Sequence, residues 1–168
     1  MNEKKGRILS GIMMVITVIL IVLSILSQTV AGIAVVKGRS MTPAYKDGDI
    51  VIYLRKAKTC EYGDVILIRK NEKEDYIKRV IGVPGDTIDI DQRTETIYIN
   101  NKELKESYIL ENTKPKDELD YPITLKEGEY FVLGDHRTNS LDSRNFGIVE
   151  AEDIEGRELI TFGKNRKF

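Results

Sequence analysis

From Ile8 to Val36 the chain carries no formal charge, and the body of that run, Ile12-Met13-Met14-Val15-Ile16-Thr17-Val18-Ile19-Leu20-Ile21-Val22-Leu23, is almost wholly apolar. A helix needs about 20 such residues to cross a hydrocarbon core, so Ile8 to roughly Ile33 is long enough to span with some tilt. The stretch is far longer than the core of a cleavable leader and reads as a retained anchor, with processing near the small residues Ala31 and Ala34 as the alternative. Lys4, Lys5 and Arg7 on one flank are matched by Lys37, Arg39 and Lys46 on the other, so the positive-inside rule does not orient the span by itself. A short tail is easier to leave inside than a domain. The expectation is a single-pass cell-membrane protein with residues 1–7 cytoplasmic, a signal anchor over 8–33 and a domain over 34–168 outside.

The 132 residues after the run are enough for one hydrophobic core and short for two. Three of the 26 basic and one of the 27 acidic residues precede the run, leaving 23 basic against 26 acidic in the domain, with His136 neutral. That balance gives no footprint for nucleic acid. The single cysteine, Cys60, excludes an internal disulfide, and with the single histidine, His136, it cannot assemble a structural zinc site. No metal or other cofactor is implied.

Beyond the anchor the pattern is strand-like. Asp49–Leu54, Asp64–Ile68, Tyr76–Ile81, Thr87–Ile90, Thr96–Ile99 and Tyr130–Leu133 are short and rich in β-branched or aromatic residues. Turn chemistry separates them: Asp47-Gly48, Tyr62-Gly63, Pro84-Gly85, Asn100-Asn101 and Glu127-Gly128. No later stretch has a helical period, so the expected fold is mainly β, an antiparallel β-barrel or folded sheet behind one transmembrane helix. At about 102–126 the pattern fades into Glu, Asp and Lys with Pro115 and Pro122, which reads as a polar surface excursion.

The chemistry starts at Ser40, only a few residues past the apolar run. A serine hydroxyl is a poor nucleophile until a base takes its proton; His136 is the one histidine available for that role, and an uncharged amine can replace it. On the strand Tyr76–Ile81 alternation puts Tyr76, Lys78 and Val80 on one face and Ile77, Arg79 and Ile81 on the other, so one of the two cations should face in and one out. At pH 8 an ordinary lysine of pKa about 10.4 is neutral in only about 0.4% of molecules. A lysine base must therefore be buried among apolar groups. Taken singly, Ser40 could equally be a turn hydroxyl, and Lys78 a solvated strand cation.

Four segments together resemble the bacterial type I signal peptidases: Gly38-Arg39-Ser40-Met41-Thr42-Pro43, Gly48-Asp49-Ile50-Val51, Tyr76-Ile77-Lys78-Arg79-Val80-Ile81-Gly82-Val83-Pro84-Gly85-Asp86, and Gly134-Asp135-His136-Arg137-Thr138-Asn139-Ser140-Leu141-Asp142-Ser143-Arg144. The resemblance covers most of residues 33–150, in order. It implies a membrane-bound serine peptidase with Ser40 as nucleophile and Lys78 as buried general base. Ser140 would hold the lysine amine toward Ser40, and Asp142 with Arg144 would form the charge pair that fixes the segment; the alternative is an ordinary loop carrying a surface pair. Ser143 reads as structural, and His136 as a hydrogen-bonding position where the family commonly has asparagine. Some relatives supply an oxyanion donor from a serine two residues before the nucleophile. Here that residue is Gly38, so the backbone N–H of Ser40 is the donor expected.

The resemblance also implies the substrate class. Signal-peptide-bearing preproteins would bind as an extended strand and be cut after small, Ala-x-Ala-like residues, with backbone pairing along a strand edge supplying affinity. Residues Ile33 to Gly38 and those around Tyr76 are the plausible edges, and Met41 is expected at the substrate or the membrane. The bilayer and the neighbourhood of the export translocon are the implied surroundings. A sortase-like transpeptidase using Cys60 and His136 would carry those residues in the opposite order, and a self-cleaving repressor-type serine peptidase would lack the anchor. A catalytically silent, tethered β-domain that binds extended peptides is the alternative from another class.

Overall fold

The computed structural model describes residues 2–55, 57, 59–69, 75–116 and 119–163. Helix α1 runs from Asn2 to Thr29, and within it Gly6–Ile25 is long and apolar enough to cross a membrane. Among the described residues the apolar side chains of Gly6–Ile25 are exposed, as a helix long enough to meet lipid on every side would have them. The uncharged run outlasts the helix: after Val30 it continues as strand β1, Ala31–Val35. The apolar sequence therefore contributes to two elements, and its last part already belongs to the sheet.

Ten further strands follow: β2 (Ile50–Arg55), β3 (Val65–Arg69), β4 (Asp75–Gly82), β5 (Thr87–Asp91), β6 (Thr96–Ile99), β7 (Lys102–Glu103), β8 (Ile123–Thr124), β9 (Glu129–Leu133), β10 (Val149–Glu150) and β11 (Ile154–Phe162). A single-turn helix α2, Ser143–Phe146, precedes β10. The larger sheet has the order β1-β2-β11-β3-β4-β9-β10 and the smaller β7-β6-β5-β8; every pairing is antiparallel. Among the described residues neither sheet closes on itself, so the fold is a folded sheet rather than a closed barrel.

All six strands read from the sequence are present within a residue of the expected bounds. Five strands were not foreseen: β1, which begins inside the expected anchor, the two-residue β7, β8 and β10, and the long β11, which fills the gap between β2 and β3. Its Glu155-Gly156-Arg157-Glu158 stretch interrupts the apolar alternation, and its pairing with β2 slips between Glu158 and Ile160.

Three apolar clusters fill the domain. One lies between β1, β2 and β3 and includes Met41, Tyr53 and Leu67; a second includes Ile66, Val80 and Val132; the third joins the two sheets through Ile81, Ile88 and Phe131. Strands β4 and β9 cross the molecule between these clusters, so residues on β4 are held on both faces. The polar segment at 102–126 is not only surface. It buries Thr113 and Leu125, and the Glu106 carboxylate meets the fully buried guanidinium of Arg137 at 2.6 Å.

Candidate active site

Strand β4 is fixed by pairing with β3, which sets Lys78 opposite Ile66, and by pairing with β9 from Arg79 onward. That places the Lys78 side chain on the face shared with Val80, where it is only 3% exposed. Its Nζ donates to Ser40 Oγ at 3.1 Å and to Ile77 O at 2.9 Å, and stands 5.3 Å from the centre of the Tyr76 ring. Burial lowers the amine's pKa from its ordinary value to about 8, against the pull of Asp142 and Asp135, whose charges favour the ammonium form. An appreciable neutral fraction near pH 8 is what an amine needs to accept a proton from a hydroxyl.

Ser40 sits in the loop between β1 and β2. Gly38 opens the loop at φ +84°, a conformation costly for any residue with a side chain, and its N–H donates to Asp47 Oδ1 at 2.7 Å. This backbone requirement gives Gly38 a structural reason to be glycine. Tyr45 N–H bonds back to Met41 O at 2.8 Å, and His136 N–H holds Ser40 O at 3.0 Å. Among the described residues no acceptor takes the Ser40 N–H, which leaves it available to an oxyanion.

The loop after β9 supports the pair. Asp142 and Arg144 are both fully buried and joined by two bonds, Nε to Oδ1 at 2.9 Å and Nη2 to Oδ2 at 2.8 Å. Asp142 also accepts from Gly134 N–H at 3.1 Å and caps α2, while Arg144 donates to Arg137 O at 2.6 Å and to Lys114 O at 3.1 Å. Burial pushes the Asp142 carboxyl up, but the Arg144 guanidinium and the Gly134 amide outweigh it and hold the group below its ordinary value. Gly134 is needed for contact: a Cβ there would lie 2.2 Å from Ser140 Oγ and 2.5 Å from Ser40 O. Ser143 Oγ accepts from Val132 N–H at 2.9 Å, a structural role.

Three expectations need correction. The resemblance has Ser140 bonded to the lysine amine, but Ser140 Oγ makes no hydrogen bond to any described residue. Lys78 spends its bonds on Ser40 and Ile77 instead, and the Ser140 hydroxyl lies near enough to Asp142 to favour the carboxylate without hydrogen-bond geometry. Arg79 does not face solvent. It is paired with buried Asp135 by two bonds, at 2.8 and 2.6 Å, and covered by the Tyr108 ring at 4.3 Å, so both faces of β4 are occupied. Met41 cannot touch a bilayer, because it is 1% exposed and packs with Val36, Tyr45 and Val51; it forms instead a wall of the cleft beside Ser40.

That cleft, of about 110 Å³, opens into a groove of about 560 Å³. The two share Val35 and Lys37 on one side and Asp75, Tyr76 and Ile77 on the other. Strand β1 is a sheet edge, and β9 pairs with β4 only from Arg79, so the groove runs between two stretches of strand with a free side. Tyr76 walls it and stacks on Phe146 at 6.1 Å between ring centres.

An antiparallel β domain behind one apolar helix thus holds the Ser40 hydroxyl against a buried amine of depressed pKa. Comparison with known proteins gives its class. The family described as signal peptidase, peptidase S26, matches residues 9–162, and the chain belongs to that family. Signal peptidase I of Bacillus licheniformis is 37% identical over 139 residues, 76% of this chain and 74% of that protein. Signal peptidase IB of Staphylococcus aureus strain Mu50 is 34% identical over 165 residues, 88% of this chain and 85% of that protein. A crystal structure of a signal peptidase I from Enterococcus faecalis V583 is 32% identical and aligns with a TM-score of 0.48, covering 59% of this chain and 96% of that one.

Proposed function

We propose that this protein removes signal peptides from exported preproteins by acyl transfer through Ser40 and Lys78, on the outer face of the membrane that α1 crosses. The observation that carries the reading is the 3.1 Å contact between Ser40 Oγ and a Lys78 amine whose pKa is brought down to about 8. The neutral amine takes the hydroxyl proton as Oγ bonds to the scissile carbonyl carbon, and the Ser40 N–H receives the oxyanion. The ammonium returns its proton to the departing amine nitrogen as the C–N bond breaks, leaving an ester on Ser40. Lys78, neutral again, deprotonates a water that attacks the ester, and Ser40 recovers its proton.

Substrate recognition follows from the groove. An extended peptide laid between β1 and the start of β4 can pair with free backbone groups on either side, as strand addition does elsewhere. The cleft at Ser40 is much smaller than the groove with which it shares its lining, which supports a preference for small side chains such as those of Ala-x-Ala. The same reading makes the translocon exit a useful place for the enzyme, with the N-terminus cytoplasmic and the β domain outside. A sortase-like use of Cys60 is disfavoured, because the thiol is buried in an apolar cluster that pushes its pKa up to about 11. Incubating the full-length protein in detergent with a labelled preprotein, wild type beside Ser40→Ala, tests the proposal: wild type should release a mature chain cut after the small residues, and Ser40→Ala should release none. Equal release by both would sink it.

A further inference from the structure

His136 touches the nucleophile loop at three successive points. Its N–H donates to Ser40 O at 3.0 Å; its ring Nδ1 lies 3.2 Å from Arg39 O and 3.1 Å from Thr42 Oγ1. On the opposite side of the ring Nε2 lies 3.4 Å from Glu111 Oε1, a residue of the polar segment. A carboxylate only accepts, so Glu111 favours a proton on Nε2. Two arrangements then satisfy the loop side. With the ring neutral, Nδ1 accepts from the Thr42 hydroxyl. With the ring charged, Nδ1–H donates to Thr42 Oγ1 or Arg39 O, and the Thr42 hydroxyl donates to Arg39 O, 2.9 Å away. Apart from the proton added on Nδ1, only the direction of the Thr42 hydroxyl proton differs.

We propose that His136 is a positioning residue for Ser40: it fixes the loop of residues 39–42 against the loop of residues 134–144 so that Ser40 Oγ stays within reach of Lys78, and Glu111 makes the polar segment part of that support. The proposal rests on the Ser40 and Lys78 reading above. It gives His136 a role beyond that of a tolerated hydrogen-bonding position. An asparagine amide nitrogen falls near the place of Nδ1 and can donate to Arg39 O, but it cannot reach Glu111.

The test uses the full-length protein in detergent and a short soluble peptide ending its signal part in Ala-x-Ala. The kcat and KM of His136→Ala, His136→Asn and Glu111→Ala are measured across the pH range with melting temperatures alongside. His136→Ala should lower kcat about 10- to 100-fold, the size of a positioning loss, with KM little changed. Its rising pH limb should move to higher pH, because a loosened Ser40 admits water to Lys78, whose charged neighbours Asp142 and Asp135 already favour the ammonium. His136→Asn should recover most of the rate, and Glu111→Ala, which keeps every contact of the ring to the loop, should lose no more than His136→Asn. As His136 is the one histidine of the chain, its ring nitrogens can be assigned by NMR without ambiguity. The neutral wild-type ring should carry its proton on Nε2, and Glu111→Ala should lose that preference. A His136→Ala kcat within twofold of wild type, or a fall that tracks a lower melting temperature with the pH limb unmoved, overturns the proposal. Turnover by Ser40→Ala or Lys78→Arg would instead overturn the reading beneath it. If turnover in Ser40→Ala were abolished by adding His136→Ala, the Glu111, His136 and Thr42 chain would itself be the catalytic group and both would fall.

Discussion

A lysine withdrawn from water stays in a fold only if the rest of the structure outweighs it. For Lys78 the native pKa of about 8 against an ordinary 10.5 corresponds to about 3 kcal/mol of lost stability. The sign follows from which state binds the proton more tightly. The unfolded chain does, so the penalty is full below about pH 8 and disappears as the pH rises past the unfolded value. Replacing the amine by an apolar chain of similar length, Lys78→Met, should therefore raise the melting temperature at pH 7 and lose that gain toward pH 10, with no turnover at any pH. Thermal denaturation at the two pH values checks it, and a Lys78→Met protein less stable at pH 7 would mean the amine is not held in an unfavourable environment. Catalysis has the opposite dependence. Below about pH 8, kcat/KM should rise roughly tenfold per pH unit as the amine loses its proton, then level off. Lys78→Arg keeps the charge but cannot deprotonate, so its turnover should be undetectable; a rate within tenfold of wild type would remove Lys78 as the base.

At the scale of elements, the site is made where the β1–β2 loop, β4 and the loop after β9 meet, and the last is held by a buried pair rather than by apolar packing. Removing one partner of such a pair costs about 3 to 5 kcal/mol, because the other charge is left unmatched. Asp142→Asn should thus lower both melting temperature and kcat at neutral pH. The stability gap should narrow as the pH falls through the lowered native pKa of Asp142, where the wild-type carboxyl also loses its charge. Equal melting temperatures at pH 7 would show that the pair does not hold the loop. Ser140→Ala should leave folding intact and lower kcat less than about tenfold, since its hydroxyl makes no hydrogen bond to Lys78 or to any other described residue, and a loss of about 100-fold or more would restore it as a partner of the amine. The six strands with clean β-branched runs between turn residues were legible in the sequence, because local pattern and tertiary pairing agree there. Strand β11 was not, since its charged stretch is stabilised by neighbours on both sides rather than by its own alternation. The burial of Arg79 was hidden for the same kind of reason: its partner Asp135 lies far along the chain. Strand alternation could say that one cation of the Lys78 and Arg79 pair faces inward, but only the resemblance chose Lys78. Glu111, Thr42 and His136 gave no signal beyond a single histidine in a polar setting, because their meeting depends on how the segment at 102–126 docks.

Across the whole molecule, the helix and the chemistry are separate parts joined at β1. Every residue assigned to the proposed reaction lies at or after Ser40, while α1 ends at Thr29, so on this proposal the helix would supply location and effective concentration rather than catalytic groups. Strand β1 belongs to the other part, because its edge forms one side of the groove. A truncated chain beginning near Val30 should fold and cleave a short soluble peptide at a rate comparable with the full-length protein, and one beginning at Lys37 should lose the groove and most of that activity. The longer truncation should still seek lipid or detergent, for a reason other than Met41. On the face of β1, β2 and β11 the register aligns Val35 with Ile50 and Phe162, and Ile33 with Ile52 and Ile160; Ile33 is 72% exposed and Val35, Ile50, Ile160 and Phe162 are all exposed. Beside a helix long and apolar enough to cross a membrane, an apolar patch of this kind would rest against the bilayer surface. Ile160→Lys with Phe162→Lys in the truncated chain should abolish its binding to phospholipid vesicles and leave soluble-peptide cleavage unchanged. On a membrane-embedded preprotein the truncated chain should be much slower than the full-length protein. If it folds by circular dichroism yet fails even on the short peptide, α1 or its junction with β1 shapes the active site, and this division of labour is wrong.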